Sequence, residues 1–484
     1  MSGPRSDCGG LLPLHAEWES LPALADARTD TAFTRGALRE AALRAADALG
    51  GSGRALALIL ADRSAASLIA VLAAAAAGHV IALVDSASAD AKLATLLARY
   101  RPDLVLAPAR LEVPVSLSAA FAREEDIEGV ARWTAKTSGG ASDLHPSLFL
   151  LLATSGTTGT PRFVRLSYDA VATNARQIAG ALAIDETSVG VAHLPVHYSY
   201  GLSVVTSHWA SGASVVLVDD GVTSPAFWDS VARYGGTHFP GVPFHYSTLT
   251  RLGLDRLPES VTTLTQAGGA LDLRFQRAAH EFATRRGARF CVMYGQTEAA
   301  PRITTLQHED FERKIGSVGR ALSGGVLTIE QDGASVAPGV AGSVVYRGPN
   351  VMLGLADQRE DLSGGDETGR RLETGDIGYL DEEGFLFLQG RAKRFAKLLG
   401  LRISLDQVEK DFASAIPAYC VEGKEKIIVF FEGCEEASAG ARAKALAAEY
   451  KIPASSFSVR RINEIPRMSG AKVDYAKLKE IAGV

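Results

Sequence analysis

The chain has 484 residues, 47% of them hydrophobic and 22% charged, with a formal net charge of -5. That length holds about two to four structural units. The charge balance argues against nucleic acid as a partner and leaves any anionic substrate to local positive groups. The four cysteines, Cys8, Cys291, Cys420 and Cys434, form no Cys-x-x-Cys pair, which argues against a disulfide framework or zinc site and fits a reducing, cytoplasmic compartment. The N-terminus MSGPRSDCGG lacks the charged-then-apolar run of a signal peptide.

Along residues 55–110, ALALILA reads as a strand, AASLIAVLAAAAAG as a helix and HVIALVD as a strand; KLATLLARYRPDLVLA follows as helix then strand. The apolar stretch 67–84 is long enough to raise the question of a membrane span. It is mostly alanine and is interrupted by Gly78 and His79, so it reads as a buried helix, a turn and a buried strand. Residues 124–145, polar and rich in Ser and Gly, read as an exposed loop. The βαβ rhythm returns over 169–294 with the helix DAVATNARQIAGAL, the strand SVVLVD, the helix FWDSVARY and the strand ARFCVMY. Such alternation argues parallel, doubly wound sheets. Over 316–390 short β-rich pieces (VLTIE, GSVVYRG, GFLFLQG) sit between turns. Residues 391–484 carry the strand KIIVFFE, the helix SAGARAKALAAEY and a lysine-rich end. The expected fold is α/β: a large N-terminal domain, 1–390, of two doubly wound lobes plus a small β subdomain, then a smaller, mobile α+β C-terminal domain, 391–484.

The segment LLATSGTTGTPRFVRLSY, residues 151–168, runs a short apolar strand into Thr154, Ser155, Gly156, Thr157, Thr158 and Gly159. Glycines let the backbone turn its N–H groups inward and hydroxyls add donors, so the loop can wrap phosphate oxygens. No Gly-Lys-Ser/Thr follows at Walker A spacing. Downstream, MYGQTE (293–298) follows a strand and offers Glu298, a hard oxygen ligand suited to a Mg²⁺ that shares its shell with phosphates. In TGDIGYLDEEGFLFLQGR (374–391), Asp376 is an acceptor-only group fit for two hydroxyls. The tail PRMSGAKVDYAKL (466–478) carries Lys472.

These segments, in this order, resemble the motifs of the adenylate-forming superfamily, which contains acyl- and aryl-CoA synthetases, peptide-synthetase adenylation domains and beetle luciferase. The resemblance implies ATP-dependent activation of a carboxylic acid to an acyl-adenylate, with Mg²⁺ and pyrophosphate release. It implies that residues 154–159 and Arg162 bind the phosphates and that Gly268, Gly269 and Ala270 line the adenine. Tyr294 would stack on adenine beside Gly295 and Gln296, Thr297 would contact phosphate, and Glu298 would hold the metal. Asp376 would bind the ribose, with Arg391 reaching the nucleotide. Lys472 would sit between carboxylate and α-phosphate. The implied catalytic set is Lys472, Glu298, Thr154 and His197. Two departures stand out: Arg162-Phe163 replaces the family's Lys-Gly, and Ala471 replaces a glycine.

The resemblance also implies a second half-reaction. The C-terminal domain would rotate about the hinge Lys393 and present residues 397–402, with Gly400 at the thiol channel. The acceptor would be CoA or the phosphopantetheine of an acyl-carrier protein; the short C-terminal domain shows no evident site for CoA's adenosine diphosphate, which tilts toward a carrier.

The segment HLPVHYSYGLS (193–203) resembles the region beside the acyl pocket, giving His197, Tyr198 and Gly201 as pocket residues, and GVPFHYSTL (241–249) adds Phe244. Amino-acid-activating members carry an Asp there; His197 and Tyr198 would leave an α-ammonium buried and unpaired, which disfavours that alternative. His193 and His197 stand four apart, but Pro195 breaks any helix between them, against a metal pair. Tyr246 and Trp209 are further aromatics, Trp209 a core residue. A catalytically silent nucleotide-binding regulator on the same fold is the remaining alternative. A serine hydrolase lacks its Gly-x-Ser-x-Gly elbow.

Overall fold

β-Branched and leucine-rich runs such as Leu56–Ala61 and Val80–Asp85 are buried on both faces, the pattern of central strands covered by helices on each side. The computed structural model describes residues 10–484 except 14, 50–52, 89, 113–114, 137–143, 155–161, 392–393, 399–400, 414–416, 425, 434–435, 451 and 469–472. Four of these strands, Leu148–Thr154, Val80–Asp85, Leu56–Ala61 and Leu104–Pro108, lie parallel at the centre of an eight-stranded sheet. Antiparallel strands close its two sides. A nine-stranded sheet holds the parallel strands Arg289–Gly295, Thr263–Gln266, His238–Gly241, Val189–Ala192, Ser214–Leu217 and Pro22–Asp26.

The two lobes are therefore not consecutive stretches of chain. The hairpin Pro22–Asp26 and Thr31–Thr34 joins the second sheet, beside Ser214–Leu217, and Gly354–Ala356 returns to edge the first, beside Arg162–Ser167. The expected loop at 124–145 also needs correction. Val130–Ala135 is a strand paired with Leu104–Pro108, and it buries Trp133 against the sheet, so its polar residues lie on the outer side of an alternating strand.

The alanine-rich stretch is the helix Ala65–Ala76, capped by Ser64, whose hydroxyl accepts from the Ser67 amide. It ends at Gly78, φ 75°, before the strand Val80–Asp85. Among the described residues no helix is long and apolar enough to cross a membrane. A five-stranded antiparallel sheet spans Val326–Gln331 to Leu386–Arg391. Beyond it, a hairpin (Phe395–Leu398, Leu401–Ser404) and a three-stranded sheet (Ala418–Gly423, Lys426–Phe431, Phe457–Arg461) make the C-terminal unit, with a core of its own around Val408, Phe412, Val429 and Leu446.

Candidate active site

The strands Leu148–Thr154 and Arg162–Ser167 pair antiparallel up to Thr154 opposite Arg162. The Ser/Thr/Gly loop thus leaves and returns at the end of one ladder; Ser155, Gly156, Thr157, Thr158 and Gly159 themselves lie outside the described residues. The guanidinium of Arg162 donates to Asp357 at 2.7 Å, so this charge is already engaged by a carboxylate.

Strand Arg289–Gly295 delivers the next motif. Its last residue must be glycine: a Cβ on Gly295 would fall 2.0 Å from the Pro301 carbonyl oxygen. The close approach lets the Gln296 amide donate to that same oxygen, 2.9 Å away, and folds Thr297–Ala299 into a 3₁₀ turn before strand Arg302–Leu306 runs back. Glu298, half-buried on this turn, is held through its carbonyl by the Met352 amide at 2.9 Å. Thr297 Oγ1 shares a hydrogen bond with Ser199 Oγ at 3.1 Å, which ties the turn to the first residue of helix Ser199–Trp209.

The Tyr294 hydroxyl donates to Asp376 Oδ2, and Arg391 Nε lies 3.3 Å from Asp376 Oδ1. Asp376 and Arg391 are ladder partners in the five-stranded sheet. Motifs 82 residues apart, at Tyr294 and Asp376, therefore meet in one cluster. Burial pushes the Asp376 carboxyl above its usual range, opposed by Arg391. Burial and Asp376 both push the Tyr294 phenol up, so it stays a donor.

Gly268, φ 84°, sits where a Cβ would lie 2.5 Å from the Tyr198 hydroxyl, so a left-handed glycine permits the ring to pack on this backbone. Gly269 and Ala270 are exposed just beyond strand Thr263–Gln266, with the Gly269 carbonyl held by Gln266 Nε2 at 2.8 Å. Gly201 serves close packing: a Cβ there would be 2.2 Å from the Pro195 carbonyl oxygen. His197 faces the other sheet, its Nε2 3.8 Å from Asp85 Oδ2; burial lowers its pKa and Asp85 opposes this. His193 lies instead against Phe239 and His245, so the two histidines have different surroundings. Phe244 is 39% exposed, and the Arg467 guanidinium of the C-terminal unit lies 5.2 Å from its ring centre. Arg467 and Val473 form an antiparallel bridge. Lys472, the hinge Lys393 and Gly400 lie outside the described residues.

The sequence reading missed one feature of this site. Between helices Tyr168–Leu182 and Ser199–Trp209 and the nine-stranded sheet lies a small cavity of about 20 Å³, room for about one water, lined among others by Tyr200, Ser203, Thr265, Met293 and Arg302. The signal was present as a lone charge opening the otherwise neutral strand RITTL, directly after the Glu298 turn.

Residues 15–356 match the family described as AMP-binding enzyme. The chain is 30% identical over 341 residues to the 2-succinylbenzoate–CoA ligase of Bacillus subtilis, covering 68% of each. It is 29% identical over 346 residues to the sulfoacetate–CoA ligase of Cupriavidus necator, covering 68% of this chain and 66% of that one. Among solved structures it resembles o-succinylbenzoate CoA synthetase from Bacillus subtilis in complex with its acyl-adenylate intermediate, with a TM-score of 0.75, 25% identity and 95% of both chains covered. ATP-bound MatB from Rhodopseudomonas palustris shares the fold, with a TM-score of 0.78 over 99% of both chains at 20% identity. This chain belongs to the AMP-binding enzyme family of the adenylate-forming superfamily, and it is an AMP-forming acid–thiol ligase.

Proposed function

We propose that the protein activates a small carboxylic acid with ATP and transfers the acyl group to the thiol of CoA. The meeting of Tyr294, Asp376 and Arg391 in one cluster is the observation that carries this reading, because it joins two chain-distant nucleotide motifs beside the Glu298 turn. Asp376 accepts from the ribose hydroxyls and Tyr294 gives its ring to the adenine, whose edge meets Gly269 and Ala270. A carboxylate oxygen of the acid attacks the α-phosphorus, the bond to the bridging oxygen breaks and pyrophosphate leaves. Two anions are driven together, so the protein's work is positioning and charge neutralisation. Lys472, a compact ammonium on a long stem, neutralises charge between carboxylate and α-phosphate, while Thr154 and the loop after it hold the phosphates. The half-buried Glu298 carboxylate with the Thr297 hydroxyl beside it is an oxygen donor set of the kind Mg²⁺ takes; the ion, when bound, offsets phosphate charge there.

In the second half-reaction the thiol attacks the mixed anhydride, giving a thioester and AMP, after the C-terminal unit turns about Lys393 and brings Gly400 to the thiol channel. The ligases named above act on CoA, which supports CoA as acceptor. A carrier-protein phosphopantetheine is the second reading, favoured by the short C-terminal unit. The acids of those ligases, 2-succinylbenzoate and sulfoacetate, set the scale of the expected substrate. His197, Tyr198, Gly201 and Phe244 border the acyl site on this reading. The free, buried Cys291 and Cys420 suit a cytoplasmic setting.

The test is acid-dependent pyrophosphate release from ATP and Mg²⁺, with hydroxylamine present to trap adenylates, beside Lys472→Ala. Release that falls by about 10²–10³ in the variant is expected. ATP binding without release for any acid would instead support a silent nucleotide-binding protein.

A further inference from the structure

Arg302 is buried, 2% exposed, yet it takes part in no ion pair among the described residues. Buried Arg165 is paired with Glu367, buried Arg359 with Asp103, and buried Arg35 donates to the carbonyls of Pro13, Trp209 and Ala213. Among the described residues, Arg302 has the Tyr200 ring, 4.7 Å from its guanidinium carbon, and the Ser203 hydroxyl at 3.5 Å; its Nε is buried without a hydrogen bond, as are those of Arg35 and Arg359, but it lacks the carboxylate or carbonyls that hold them. An uncompensated buried guanidinium is costly, and it cannot escape by losing its proton.

Its strand is fixed independently of this charge. The Arg302 amide and carbonyl are both bonded to Asn174, and the carbonyl also to Asn350. The side chain lines the cavity described above, and it is the one charge among the described residues there. The cavity's two histidines are neutral, since burial pushes His208 down to about 3 and His238 to about 4. None of Tyr294, Thr297, Glu298 or Asp376 lines this cavity, so Arg302 points away from the nucleotide cluster. Yet it is the residue opposite Gly295 in the ladder, and Tyr200 beneath it follows Ser199, which bonds Thr297. The cavity thus lies behind the strand and helix that hold the adenylating turn.

We infer that the acid activated by this enzyme carries a second anionic group, a carboxylate or sulfonate, which enters the cavity and pairs with Arg302. The inference rests on the acid-ligase reading above. The first carboxylate stays at the nucleotide and reacts; the second is held and does not react.

The test compares malonate, succinate, glutarate, adipate and phthalate, each with its monomethyl ester, by pyrophosphate release from the wild-type enzyme. Sulfoacetate is added as a sulfonate. At least one acid is expected to exceed its ester by about a hundredfold or more in kcat/KM, because a site built for a polar group rejects the analogue that lacks it. Arg302→Met should abolish that preference by lowering turnover of the diacid while leaving the ester and ATP binding unchanged, and Arg302→Lys should restore part of it. Equal rates for acids and esters in the wild-type enzyme, which needs no variant to fold, would overturn this inference alone. So would an Arg302→Met protein that loses diacid and ester in equal proportion. No release with any acid would overturn the ligase reading and this inference with it.

Discussion

Replacing Asp376 with asparagine separates what this residue does for the nucleotide from what it does for the fold. The carboxylate is 6% exposed and burial, the dominant influence, raises its pKa. A carboxyl whose pKa is higher folded than unfolded favours the fold while protonated, and that contribution is lost as pH rises through the folded value. At pH 7 the ionised group is therefore a cost to the native state, and Asn removes it. Tyr294 keeps an acceptor in the amide oxygen, and Arg391, whose side chain is 65% exposed, returns to water at little cost. Thermal stability at pH 7 should stay level or rise. The nucleotide suffers the reverse. One charged acceptor for two ribose hydroxyls becomes a neutral oxygen and a donor, a loss of about 1.5–3 kcal/mol for a charge-assisted bond, or roughly 10- to 100-fold in KM for ATP. Pyrophosphate release against ATP concentration and a melting curve on the same preparation read both effects. An unchanged KM would refute the nucleotide role; a rise in KM accompanied by a large fall in melting temperature would show that the residue acts through the fold.

Gly295→Ala forces a Cβ against the Pro301 carbonyl, 2.0 Å away; backbone on both sides leaves no easy relief, and a loss of more than about 2 kcal/mol in stability should appear in denaturant unfolding, together with lost adenylation. In the C-terminal unit, Arg394 is held by Glu409 at 2.6 Å and stacks on Tyr475, so Glu409→Gln should loosen that unit by about 3 kcal/mol, read as faster hydrogen exchange over Ala418–Phe431 while the nucleotide cluster is unaffected. Buried His208, His238 and His245 are pushed by desolvation to about 3, 4 and 4. Their contribution to stability is fully present above the unfolded value of 6.5 and is lost as pH falls toward 4. Melting temperature should then drop steeply below pH 6, with a limiting slope of roughly 4 kcal/mol per pH unit for three such groups, and a flat profile between pH 6.5 and 4.5 would contradict their burial as neutral imidazoles.

The parallel strands and their helices were legible because the kinds of run differ: LALILA and VIALVD are apolar without alternation, and the alanine-rich AASLIAVLAAAA stands between them. What periodicity does not encode is partner choice. Nothing local in PALAD says that it will lie beside Ser214–Leu217 and not beside the strand that follows it in the chain. The strand Val130–Ala135 failed for a related reason. Its buried residues, Val130 on one face and Ala131 and Trp133 on the other, are too few to outweigh the polar composition around them until Leu104–Pro108 supplies the other side of the ladder.

The candidate site divides along the same line. Asp376, Tyr294, Glu298 and Thr297 stand in segments whose residue types are fixed by the group they would hold, so type and order alone indicate them. The direction of a side chain is set by tertiary placement. Helix Ser199–Trp209 begins one residue after Tyr198, which leaves His197 on the preceding turn against Asp85 and sends Tyr200, one helical turn from Ser203, into the cavity. Arg302 lies at the intersection of these placements: its ladder partner is Gly295, its ring neighbour is Tyr200, and its hydroxyl neighbour is Ser203. In the sequence it is only a charge near the start of a strand. Three separate stretches must come together before it is a buried cation without a counter-ion among the described residues, and that is what makes the chemistry of the acid readable from the protein.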